Sequence, residues 1–237
     1  MIDFQRATLE DCQDARGIVV VIDVLRAFTT AAFAFEAGAG RLVLVSTLEE
    51  ARALKQRSPG WILSGEDGGR KPPDFDFGNS PQEFIGQALD GATVIQRTTA
   101  GTQGVVHSTQ ADELFAASLC CAGPTVAAIR ELVPRRVTFV LTGFGRDGFG
   151  DEDAACADYI EAQLCGQPVD ERRLMERVRL SGWGRRFGDP DYDYLDPRDL
   201  EHCQSLNRFP LALHVRQEGG QFVMQAVDPS AGIKPVQ

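Results

Sequence analysis

Asp23, Arg26, Thr29 and Thr30 stand close together, directly after the unbroken apolar run Ile18 to Ile22. A carboxylate, a guanidinium and two hydroxyls gathered at one place suit a metal ion and an anion. The plainer reading is a local Asp23–Arg26 ion pair with threonines capping the next helix. Part of the grouping recurs: Arg97, Thr98 and Thr99 follow the run Ala92 to Gln96 and lead through Ala100 to Gly101 and Thr102. Their hydroxyls and backbone N–H groups could face developing negative charge. A third stretch, Gly143-x-Gly145-x-x-Gly148, carries Arg146 and runs into Asp151, Glu152 and Asp153.

The third stretch matches the spacing of a dinucleotide-binding loop. A dinucleotide-dependent oxidoreductase is therefore one candidate. Against it, three acids occupy the helix start, where a pyrophosphate needs bare N–H groups. The same acids make sense if a divalent cation stands between protein and anion, since hard carboxylate oxygens suit magnesium. Acids also favour a helix N-terminus on their own, which explains one or two of them more readily than three. Other chemistries fail by inspection. There is no Gly-Lys pair for a P-loop and no Gly-x-Ser-x-Gly elbow. Cys-x-x-Cys zinc spacing is missing, and His107, His202 and His214 are scattered. Asp23-Val-Leu25 lacks the second acid of an Asp-x-Asp phosphatase loop. What remains is metal-assisted chemistry on an anion, with arginines and backbone donors around it.

Strands must carry these groups at their ends. Ile18 to Ile22 reads as a buried strand, with a helix over 27–37 closed by Gly38 and Gly40. Strands follow at 41–45, 61–63, 92–96, 113–116 and 136–142, alternating with helices from about Leu48, Gly123 and Asp151. Ser64 to Pro81 has no periodicity and reads as an ordered functional loop. Pro81 to Leu89 reads as a helix capped by Asn79 or Ser80. Residues 170–179 read as a charged helix, 181–197 as a mobile or partner-contacting loop, and 197–206 as a helix. The segments 211–215 and 222–227 form a terminal hairpin through Gly219-Gly220, whose edge could support a homodimer. The fold class is α/β, a three-layer α/β/α arrangement with a largely parallel or mixed sheet. No linker breaks the chain, so residues 1–237 form one domain. The repeated strand, arginine and Thr-Thr pattern allows two similar subdomains split near 90–125.

The net charge of −10 disfavours nucleic acid and anionic membrane as partners, leaving a small anionic molecule. Arginines number 21 against three lysines. That favours bidentate contact with phosphate, sulfonate or carboxylate, although GC-rich coding has the same effect. Six cysteines, two of them adjacent, read as reduced thiols in a cytoplasmic protein. No apolar run reaches the roughly 20 residues of a membrane span.

Five motifs lie in register along residues 15–165. They are Asp23-Val-Leu-Arg-Ala-x-Thr-Thr30, Gly65-Glu66, Gly78-Asn-Ser-Pro81, Arg97-Thr-Thr-x-Gly-Thr102 and Gly143-x-x-Arg-x-Gly148 followed by Glu152-Asp153. Together they resemble the 2-phosphosulfolactate phosphatase family. The resemblance implies an α/β/α, magnesium-dependent phosphatase that converts 2-phospho-3-sulfolactate to 3-sulfolactate. It places the site among these loops. Asp23, Glu66, Glu152 and Asp153 are then the metal ligands, not all of them direct. Asp23, Arg26, Arg97 and Glu152 are the catalytic set. Thr29, Thr30, Asn79, Ser80, Thr98, Thr99, Gly101, Thr102 and Arg146 contact substrate, and Asp147 is a candidate general acid. The chain departs from the family at Asp67, usually arginine, and at Ala100, usually asparagine. Those departures also admit a non-catalytic anion-binding protein.

Overall fold

The computed structural model describes residues 1–143 and 150–231. Strand β2 (Ile18–Ile22) is buried along its whole length. It pairs in parallel with β6 (Glu113–Ala117) on one side and β7 (Arg136–Leu141) on the other. Strand β1 (Asp3–Thr8) adds to β7 as an outer edge. A strand covered on both faces must be apolar throughout, and its alternate residues go to different layers. Val19 and Val21 share a core with α1 (Ala27–Glu36) and α3 (Gly101–His107). Ile18, Val20 and Ile22 pack with α4 (Ala122–Glu131), α5 (Asp151–Leu164) and α6 (Glu171–Leu180).

The other half of the sheet is β3 (Arg41–Leu44), β5 (Thr93–Arg97) and β4 (Ile62–Gly65), again parallel. Helix α2 (Leu48–Arg57), capped by the Thr47 hydroxyl, covers one face through Ala51 and Leu54. Strands β8 (Ala212–Glu218) and β9 (Gln221–Val227) join the halves, giving a nine-stranded mixed sheet in the order β1-β7-β2-β6-β8-β9-β3-β5-β4. Because β8 is antiparallel to β6 and to β9, and β9 to β3, the two parallel halves run in opposite senses.

Two expectations are corrected. The hairpin near the chain's end lies at the centre of the sheet, both edges paired, so it presents no edge for a second subunit. The helix expected over 81–89 is a short 3-10 turn, Pro81–Phe84. Ile85 is extended, and Gly86 follows at a φ of +76° that helical residues do not adopt. Residues 181–197, expected as a mobile or partner-contacting loop, hold short 3-10 turns at Gly184–Arg186 and Pro190–Tyr192. They pack over the ends of the strands described next.

Candidate active site

Asp23 follows β2. Its Oδ1 accepts the Ala27 N–H at the start of α1 (3.0 Å), leaving Oδ2 toward the start of α3. A Cβ on Gly101 would lie 2.8 Å from that Oδ2, so glycine lets α3 come close. Asp153, in the first turn of α5, accepts the Val24 N–H at 2.9 Å and the Gly143 N–H at 2.8 Å. One carboxylate thus ties together the ends of β2 and β7. Glu152 beside it is 2% exposed, and its Oε2 is buried with no hydrogen-bond partner. From the other half of the sheet, Glu66 follows β4. It accepts the Thr99 N–H, the Thr99 hydroxyl (2.8 Å) and the Gly69 N–H (2.6 Å). Gly65 makes that turn possible: it has a φ of +139°, and a Cβ there would sit 1.8 Å from the Arg97 carbonyl oxygen.

The acids repel one another. Burial pushes Asp23 up to about 6, and the Glu66 and Glu152 charges push the same way, against the lowering effect of the Ala27 N–H. Burial, then the charges of Glu152 and Asp23, raise Asp153 well above the usual carboxylate range. Burial also raises Glu152. Among the described residues no three side chains stand as a ready-made metal cluster. The donor set nevertheless fits a hard cation. Glu66 and Asp153 are filled by donors from the protein, whereas the buried Glu152 Oε2 has none. Magnesium commonly takes one or two carboxylates and keeps its waters.

Arg26 lines the same cavity, but its partner is not Asp23. Its Nη1 donates to Asp199 Oδ2 at 2.9 Å, with both side chains buried. Asp199, in α7 (Pro197–Cys203), also accepts the Ser80 hydroxyl (2.8 Å) and the Gln82 N–H (3.1 Å). No motif marks Asp199 in the sequence, where it is one more acid at a helix start. Arg97 sits behind Glu66, donating to the Glu66 carbonyl (2.8 Å) and to Asp67 Oδ1 (2.9 Å). The departure at Asp67 therefore occupies a guanidinium expected to face substrate.

Asp23, Arg26, Glu66, Asn79, Thr99, Ala100, Thr142, Gly143, Glu152 and Asp153 line one cavity of about 310 Å³. Several expected contacts lie outside its wall. Thr29 donates its hydroxyl to the Val24 carbonyl, and the Thr30 hydroxyl is buried without a partner. Thr98 and Thr102 bond each other at the start of α3, and Ser80 serves Asp199. Arg97 and Gly101 stand just behind the lining. Arg146 and Asp147 lie outside the described residues. The rest of the wall is Leu9, Leu25, Gly68 and Gly69, together with Trp183, Phe187, Tyr194 and Leu195 from the segment expected to be mobile. A second cavity, of about 430 Å³, opens near the starts of β6 and β9, away from these strand ends and their acids.

The model of the 2-phosphosulpholactate phosphatase family matches residues 4–183. The chain is similar to a probable 2-phosphosulfolactate phosphatase of Bacillus subtilis, 34% identical over 203 residues, covering 85% of this chain and 88% of the relative. A protein of the same description from Carboxydothermus hydrogenoformans is 35% identical over 221 residues, 88% of this chain and 90% of its own. One from Thermus thermophilus is 37% identical over 177 residues, 73% of this chain and 72% of its own. With the described residues of the motifs meeting at one cavity from both halves of the sheet, the chain belongs to the 2-phosphosulpholactate phosphatase family, a family of phosphoric monoester hydrolases.

Proposed function

We propose that this protein is a magnesium-dependent phosphatase acting on small anionic phosphomonoesters, with 2-phospho-3-sulfolactate as its first candidate substrate. The observation that carries the reading is the charge of the cavity: four carboxylates line it, and its one described cation, Arg26, is already neutralised by Asp199. A phosphate ester is repelled from such a wall until a cation is present. Asp23 and Glu152 would hold that cation directly, with Glu66 and Asp153 behind them. The ion would supply charge neutralisation and a more acidic bound water. Arg26, held by Asp199, would border the ester's anionic side, while the Thr99 donors stay committed to Glu66. The dinucleotide reading loses support because the first N–H of the glycine loop already serves Asp153.

The test is phosphate release from 2-phosphosulfolactate, 2-phospholactate, a phosphoglycerate and a nitrophenyl ester. Glu152→Gln is expected to lower kcat by about a thousandfold or more while leaving the circular dichroism unchanged. Full activity in that variant would remove Glu152 from the mechanism. Binding without turnover of any ester would favour a non-catalytic anion-binding protein.

No described helix is long and apolar enough to cross a membrane, and the net charge of −10 opposes nucleic acid. Six cysteines, all free of disulfides, support a cytoplasmic protein, with a small molecule as its partner.

A further inference from the structure

Trp183, Phe187, Tyr194 and Leu195 give the cavity an apolar wall for which a small, multiply charged ester has no evident use. Three of these four residues lie beyond the part of the chain that the family model matches. The wall is set in place by its own contacts. Tyr194 packs on the backbone of Gly69, where an added Cβ would meet its ring at 2.4 Å. The Arg70 guanidinium lies 4.6 Å from the Tyr194 ring centre and donates to Asp193 at 2.8 Å. Arg186 packs on both Trp183 (4.3 Å) and Tyr192 (4.8 Å). The loop cations Arg70 and Arg97 are therefore bound to Asp193 and Asp67, and Arg26 to Asp199. Among the described residues, the cavity presents rings beside the acids and no cation without an acidic partner. Fixed aromatic surface of this kind rewards apolar area on a ligand.

On the phosphatase reading above, we infer that the site also hydrolyses phosphomonoesters of 2-hydroxy acids whose third substituent is aromatic or bulky and apolar. That arm would lie against Trp183, Phe187 and Tyr194. Water oxygen bonds to phosphorus and the phosphorus–oxygen bond to the hydroxy acid breaks. The departing alkoxide takes a proton, so the products are inorganic phosphate and the free hydroxy acid.

The test compares phosphate release from 2-phospholactate and 2-phospho-3-phenyllactate, with magnesium, on the full chain. The phenyl ester is expected to show a kcat/KM about tenfold or more above that of phospholactate, the gain ordinary for added apolar surface in a fitting pocket. In Phe187→Ala and Tyr194→Ala that ratio should fall toward one. A wall that serves only to exclude water would leave the ratio near one in the parent protein, and that result overturns the inference. So does a large ratio that survives both substitutions. Release from phospholactate with a slower phenyl ester sinks this inference and leaves the hydrolytic reading standing. No release from 2-phosphosulfolactate or from either of these esters sinks the hydrolytic reading itself.

Discussion

Asp23 serves two purposes that pull against each other. Its Oδ1 secures α1, and its charge is held among other acids in a buried place. The consequence for stability has a definite sign. A carboxylate raised to about 6 binds a proton in the folded state that the unfolded chain, near 3.8, has already lost. Its contribution is therefore fully present below about pH 4 and is lost as pH rises through about 6, at roughly 1 kcal/mol per pH unit across that window. In chelator, Asp23→Asn should flatten this dependence and raise Tm at pH 7.5, because the amide keeps the bond to Ala27 and sheds the repulsion. A variant that melts lower than the parent at pH 7.5 would show that Asp23 is not the strained group. Asp199→Ala should do the reverse, leaving the Arg26 guanidinium buried and unpaired at a cost of about 3–5 kcal/mol, read by denaturant titration. The four cavity acids were legible because they fall in motifs, Asp23 and Glu66 just after strands and Glu152 and Asp153 at a helix start. Asp199 was not, because a long-range ion pair leaves no local pattern.

At the scale of elements, the contact between α3 and the end of β2 sets the cavity floor. Gly101 and Gly104 permit it: a Cβ on Gly101 would lie 2.6 Å from the Ala27 Cβ, and one on Gly104 2.6 Å from Val21. Gly101→Ala should cost about 1–3 kcal/mol by overpacking and should lower kcat by displacing Asp23. Unchanged melting and turnover would mean that α3 has room to move. Strands β2 to β9 and helices α1, α2 and α4 to α7 could be read from apolar periodicity, capping residues and glycine stops. The 181–196 segment could not. Its rings and charges follow no period, and they make sense only against Gly69 and Arg70, more than a hundred residues earlier.

For the molecule as a whole, strand order was the illegible part. Ala212 to Val215 looks like any short strand, and only the pairing shows it between β6 and β9 at the centre of the sheet. Because β8 and β9 join two parallel halves, we take residues 1–237 as one cooperative unit. A chain ending before Ala212 should show no cooperative unfolding transition in urea, whereas two separable subdomains would retain at least one. The two halves run in opposite senses, yet the loops after β4 and β5 share a cavity with those after β2 and β7. That convergence assembles an acidic pocket for an anionic ligand, and a cation is what reconciles the two. The direct measurement is phosphate release from 2-phosphosulfolactate in chelator, followed by titration with magnesium. Release is expected to be absent in chelator and to rise to saturation with the metal. Undiminished release in chelator would contradict the claim that a divalent cation joins these carboxylates to the substrate.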